Sequence, residues 1–147
     1  METKEMIEIL MVEDSDYDAE MALISLKESN ISNKIHWVKD GEEALDFLFG
    51  RGEYSNRNIS NTPKLVLLDL KMPKIDGLQV LKEMRSNDST KRIPVVMMTS
   101  SKEEQDIIRS YELGVNSYIV KPVEFDKFSK AVADIGFYWM LLNVPKP

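Results

Sequence analysis

The sequence predicts an α/β domain built on a parallel sheet of five strands. Three observations carry that expectation. Short aliphatic runs alternate five times with segments of helical spacing. The runs are rich in Val, Ile, Leu and Met, as expected of buried strands. Four of them stop at chemically useful polar residues: Glu13-Asp14, Asp69, Thr99-Ser100 and Lys121-Pro122. In a parallel sheet such ends share one edge, where ligands bind.

Residues 7–12 form the first apolar run, read as a buried strand. Ser15 or Asp16 caps the helix that follows. Its apolar positions Ala19, Met21, Ala22, Ile24 and Leu26 follow helical spacing only loosely. Residues 30–33 are a polar break, and Ile35 to Val38 reads as the second strand. Asp40-Gly41 opens a helix with Ala44, Leu45, Leu48 and Phe49 on one face. Residues 50–62 are rich in Gly, Asn and Ser, with Pro63 after them, and read as a loop. That loop is long for a compact domain, and such loops are usually functional or mobile. Residues 64–69 form the third strand. Asp76-Gly77 opens a helix carrying Leu78, Val80, Leu81 and Met84. Pro94 leads a fourth strand ending at Thr99. Ser100-Ser101 caps a helix running to Leu113, and Gly114 ends it. Ser117 to Val120 is the fifth strand, and the last helix is expected over residues 124–142. No repeat or second domain is visible, so residues 1–147 are expected to form one domain.

Composition excludes several function classes. The net charge is −6 and the pI about 4.9, so the basic footprint of a nucleic-acid binder is absent. There is no cysteine, which excludes disulfides, thiol catalysis and cysteine zinc sites. No apolar stretch approaches the roughly 20 residues of a membrane helix. The first residues lack the pattern of a signal peptide. A cytoplasmic location is the expectation.

Glu13, Asp14 and Asp69 at adjacent strand ends would repel one another unless a cation is present. Mg²⁺ suits such a set, since it takes oxygen ligands, often one or two carboxylates with phosphate. The competing reading makes Glu13 and Asp14 an exposed turn before a helix. Thr99 offers a hydroxyl to an anion, or serves as another helix cap. Lys121 can reach an anion as a point charge, or remain a solvated loop lysine. The Lys121-Pro122 bond is left open as cis or trans. His36 has no histidine or cysteine partner and reads as an ordinary strand residue. Trp37 and Trp139 are placed away from the acids.

Taken together, Glu13-Asp14, Asp69, Thr99, Tyr118 and Lys121-Pro122 make the chain resemble the receiver domain of two-component response regulators. The resemblance covers nearly the whole chain. It implies a flavodoxin-like sheet of order 2-1-3-4-5. It implies that Asp69 accepts a phosphoryl group from a sensor histidine kinase or a histidine phosphotransfer protein. Asp14 would bind Mg²⁺ directly, Glu13 through water, and the backbone carbonyl of Lys71 would be a third protein ligand beside Asp69. Thr99 and Tyr118 would be the switch pair, and Lys121 would contact the phosphoryl group. Without the rest of the motif, Tyr118 would read as a half-buried strand aromatic. Two features depart from the common pattern. Glu13 stands where many receivers have aspartate, and Lys71 puts a cation two positions after the acceptor.

A finer likeness is to the small regulators paired with cyanobacterial and bacterial phytochromes. It rests on Leu48-Phe49-Gly50-Arg51-Gly52-Glu53-Tyr54, the long loop, Leu68-Asp69-Leu70-Lys71-Met72-Pro73 and the aromatic C-terminus. The last helix has two apolar stripes. Phe125, Phe128, Val132, Ile135, Trp139 and Leu142 step by three and four toward the sheet. Ala133, Phe137 and Met140 form the second, which either widens the core side or makes an interface. A homodimer through the fourth helix, fifth strand and fifth helix is the preferred expectation, with Phe137 and Met140 in its interface, and no output domain. Two other functions compete. A phosphohydrolase of the haloacid-dehalogenase type also uses a strand-end aspartate but carries a second Asp where this chain has Lys71. A pseudo-receiver would only bind, which the intact acids, Thr99 and Lys121 argue against.

Overall fold

The computed structural model describes residues 9–28, 34–100 and 104–134. Branched and long aliphatic side chains place five strands side by side: β1 (Ile9–Val12), β2 (Ile35–Val38), β3 (Leu65–Asp69), β4 (Val95–Thr99) and β5 (Ser117–Val120). Every pairing is parallel, and the order is β2-β1-β3-β4-β5. Between them run α1 (Asp16–Glu28), α2 (Gly41–Phe49), α3 (Gly77–Arg85) and α4 (Glu104–Glu112), and α5 (Phe125–Asp134) follows β5.

Successive strand residues point to opposite faces, so each strand feeds two cores. On one face Leu10, Val12, Val66, Leu68, Val95 and Met97 pack with Leu48 of α2 and with Val80, Leu81 and Met84 of α3. On the other, Met11, Leu67, Val96, Met98 and Ile119 pack with Ala19 and Leu26 of α1 and Phe128 of α5. Each fully buried side chain of this size contributes about 1.5–3 kcal/mol before entropy is counted. The central strands β1, β3 and β4 are buried along their whole length, which makes the sheet edge that carries the polar residues a rigid platform.

Local chemistry sets the helix ends. The Asp40 carboxylate accepts from the Glu43 amide at 2.7 Å, and Gly50 closes α2 in the left-handed region at φ 67°. Asp76 and Gln79 form a reciprocal capping box at the start of α3, with both bonds at 2.9 Å. At α1 the choice between Ser15 and Asp16 falls to Ser15. Its hydroxyl accepts from the Asp18 amide at 3.2 Å, while Asp16 is already helical.

Three expectations need correction or limit. The loosely spaced apolar positions of α1 divide: Met21 and Ile24 are exposed, while the small residues Ala19 and Ala22 are buried and let the helix lie close to the sheet. Residues 50–62 contain a short 3-10 helix, Gly52–Tyr54, and are fastened to the edge of the sheet. There the Arg57 guanidinium lies 4.0 Å from the Phe47 ring centroid and donates to the Phe47 carbonyl at 2.7 Å. The Tyr54 hydroxyl donates to Glu43 at 2.7 Å and meets His36 Nε2 at 3.0 Å. The described part of the last helix is Phe125–Asp134, and Phe137 and Met140 lie outside the described residues.

Candidate functional site

Strand register assembles the site. Val12 pairs with Leu68, Asp69 with Met98, and Thr99 with Val120. Glu13, Asp69, Thr99 and Lys121 therefore leave the sheet close together at its carboxyl edge. Glu13, Asp69 and Thr99 are buried, whereas Asp14 is exposed. Carboxylate oxygens of Glu13, Asp14 and Asp69 lie within 4.8 Å of one another. That oxygen set fits a hard divalent cation.

The Lys121 ammonium is inserted among the acids. It sits 2.7 Å from Glu13, 3.2 Å from Asp18 and 3.3 Å from Asp69. The peptide bond between Lys121 and Pro122 is cis. Burial pushes the Asp69 carboxyl up to about 8; the Glu13 carboxylate pushes the same way, and Lys121 opposes them. Burial pulls Lys121 down, but Glu13, Asp69 and Asp18 together outweigh it and leave its pKa raised.

Glu13 is held from several sides. Its amide donates to the Val38 carbonyl at 3.0 Å. Its carboxylate accepts from the Ser15 amide at 3.0 Å. Its backbone carbonyl accepts the Trp37 indole N–H at 2.8 Å. The segment after Asp69 is equally fixed. Leu70 donates to the Met98 carbonyl at 2.8 Å and accepts from the Gly77 amide at 3.0 Å. Leu70 and Met72 are buried and Lys71 between them is exposed. A Cβ on Gly77 would stand 2.3 Å from the Asp69 carbonyl oxygen, so only glycine fits there. Tyr118 is 39% exposed, stands opposite Met97, and packs edge-on against Tyr111 with ring centroids 6.3 Å apart.

The structure thus brings Glu13, Asp14, Asp69 and Lys121 into one cluster, with Thr99 at the adjoining strand end. Two neighbours were not singled out from sequence. Asp18 passes for an ordinary acidic residue of a first helical turn, and only its place four residues after Asp14 hints at proximity. Trp37, placed away from the acids in the sequence reading, reaches Glu13 because β2 lies beside β1, which no local pattern encodes. A groove of about 170 Å³ opens beside the cluster, lined by Glu13, Tyr17, Asp18, Met21, Lys121 and Pro122 among others.

Comparison with known proteins agrees with this geometry. Residues 9–133 match the family model described as response regulator receiver domain. The chain is 44% identical over 132 residues to Response regulator Rcp1 of Synechocystis sp. (strain ATCC 27184 / PCC 6803 / Kazusa), covering 90% of this chain and 88% of that protein. The Mn²⁺-bound crystal structure of Rcp1 superposes with a TM-score of 0.73 at 43% identity, over 95% of this chain and 97% of that one. The bacteriophytochrome response regulator AtBRR gives a TM-score of 0.83 at 52% identity, over 92% and 96% of the two chains. The phosphorylated cyanobacterial phytochrome response regulator RcpA gives 0.72 at 37% identity, over 94% and 95%.

The chain belongs to the response regulator receiver domain family. Members are signalling proteins of two-component systems rather than classical enzymes; they bind a divalent metal in an acidic pocket and partner with histidine kinases. Among the described residues no helix is long and apolar enough to cross a membrane.

Proposed function

We propose that Asp69 is the phosphoacceptor of a two-component relay of the phytochrome-associated type, and that the chain acts as a stand-alone cytoplasmic receiver over residues 1–147. The observation that carries this reading is one buried carboxylate at the end of the central strand, with two further acids within 4.8 Å and an ammonium 3.3 Å away. The near-full-length match to Rcp1 supports the stand-alone form.

In the proposed reaction an Asp69 carboxylate oxygen attacks the phosphorus of a phosphohistidine on a sensor kinase or histidine phosphotransfer protein. A P–O bond forms, the P–N bond breaks, and its electron pair returns to the imidazole, which takes up a proton. Mg²⁺ would be held by Glu13, Asp14, Asp69 and the Lys71 carbonyl; when bound it supplies positive charge to the phosphoryl oxygens. Lys121 provides the protein's own cation beside the acceptor. Thr99, buried at the next strand end, offers a hydroxyl to the new phosphoryl oxygens, and Tyr118 responds as the second member of the switch. The same site can return the group to water, so the chain catalyses only its own labelling and dephosphorylation.

The signal leaves, on this reading, through a homodimer face made by α4, β5 and α5. The exposed rings of Tyr111 and Tyr118 on that face support it. Incubation with acetyl phosphate and Mg²⁺ tests the function. One phosphoryl group per chain, mapped to the Asp69 peptide, is the expected result. Sustained multiple turnover would indicate a phosphohydrolase, and no labelling a pseudo-receiver.

A further inference from the structure

An ammonium has three N–H donors. Among the described residues three carboxylates surround Lys121, one for each: Glu13 at 2.7 Å, Asp18 at 3.2 Å and Asp69 at 3.3 Å. They differ in their other duties. Asp69 is the acceptor. Glu13 belongs to the acidic trio and also accepts from the Ser15 amide. Asp18 stands outside that trio, on a different element, and approaches Lys121 from α1 while the lysine enters from the end of β5.

We infer that Asp18 is a positioning residue, which keeps the Lys121 ammonium beside the Asp69 carboxylate during phosphoryl transfer. The inference rests on the acceptor reading of Asp69. A lysine side chain is a flexible four-carbon stem ending in a point charge, so its placement depends on anchors. Asp18 is a rigid mount for such an anchor. Its amide donates to the Ser15 hydroxyl at 3.2 Å, and the next residue, Ala19, is fully buried against the sheet. The Asp18 side chain itself is 39% exposed, so water screens the pair and it adds little to folding stability. What the pair supplies is geometry: the ammonium is held on the groove side of Asp69, where Tyr17, Met21 and Pro122 complete the wall. Loss of Asp18 should leave the fold intact and leave Lys121 to Glu13 and Asp69, both members of the acidic trio and the second consumed as the acceptor.

The test uses the full chain with Asp18→Ala, Asp18→Asn, Lys121→Gln and the double variant Asp18→Ala/Lys121→Gln. Labelling by acetyl phosphate at saturating Mg²⁺ is timed for each. Asp18→Ala should slow labelling about five- to tenfold, with Asp18→Asn in between because its amide oxygen still accepts a hydrogen bond. In the Lys121→Gln background, removing Asp18 should add nothing further. A second readout needs no phosphoryl group and no metal: reductive methylation of Lys121, followed on its peptide by mass spectrometry. It should run severalfold faster in Asp18→Ala at unchanged melting temperature. A parent that labels, with Asp18→Ala labelling as fast or faster, or with the two substitutions acting independently, overturns the inference alone. A parent that does not label overturns the acceptor reading, and this inference with it.

Discussion

Trp37 donates its indole N–H to the backbone carbonyl of Glu13 across 2.8 Å, so an edge strand holds the first acidic residue of the site. The indole also lies under the Lys39 ammonium, 5.3 Å from its ring centroid, and Lys39 pairs with Asp16 at 3.6 Å. A change at the Glu13–Asp14 step should therefore reach a fluorophore. Titrating the protein with Mg²⁺ should change Trp37 emission, and Asp14→Ala should remove the response. Trp37→Phe should lower stability by about 0.5–1.5 kcal/mol, the net value of one hydrogen bond. Unchanged emission on metal saturation, with binding confirmed by calorimetry, would contradict this.

The two acids after β1 should contribute unequally to metal affinity. The Glu13 carboxylate is already divided between Lys121 and the Ser15 amide, whereas Asp14 is exposed at the mouth of the trio. Asp14→Ala should weaken Mg²⁺ binding by about tenfold or more, which is roughly 1.4 kcal/mol. Glu13→Ala should cost less in affinity. Calorimetric titration of both variants decides, and equal or reversed effects would reassign the direct ligand.

Gly77 should resist even the smallest substitution. Its Cβ would meet backbone atoms, the Asp69 carbonyl oxygen at 2.3 Å and the Leu70 Cα at 2.9 Å, which cannot rotate away. Gly77→Ala should destabilise the protein by about 1–3 kcal/mol, as overpacking does. It should also slow labelling, because the strain falls on the backbone of Asp69, the proposed acceptor. Urea melts and labelling rates of the same sample test both halves.

His36 predicts a pH dependence away from the metal site. Burial lowers its pKa; Glu43 opposes that and Arg57 adds to it. A depressed imidazole pKa means the unfolded chain binds the proton more tightly. Stability is therefore complete above the ordinary histidine value of about 6.5 and is lost as pH falls through the lower folded-state value. Denaturant midpoints at pH 7.5 and 5.5 should differ more for the parent than for His36→Gln. Parallel profiles would rule this contribution out.

Much of this was legible in the sequence because strand ends are local features. The apolar runs give the strands, and the residue closing each run gives Glu13-Asp14, Asp69, Thr99 and Lys121 as candidates. The sheet order 2-1-3-4-5, implied by family resemblance, is the order observed. Contacts between elements were not legible. Asp18 meets Lys121 across 103 positions of chain, and Trp37 meets Glu13 across 24. The Tyr54, Glu43 and His36 network depends on how residues 50–62 fold back over β2. On α1 the apolar residues outnumber the places beside the sheet, which is why their spacing is only loosely helical and why Met21 and Ile24 face out.

The proposed function requires Asp69 to receive the phosphoryl group. Parent and Asp69→Asn are incubated with acetyl phosphate and Mg²⁺, and intact mass is read at intervals. The parent should gain the mass of one phosphoryl group, on the Asp69 peptide, and the equally folded Asn variant should gain none. Full labelling of Asp69→Asn would contradict it.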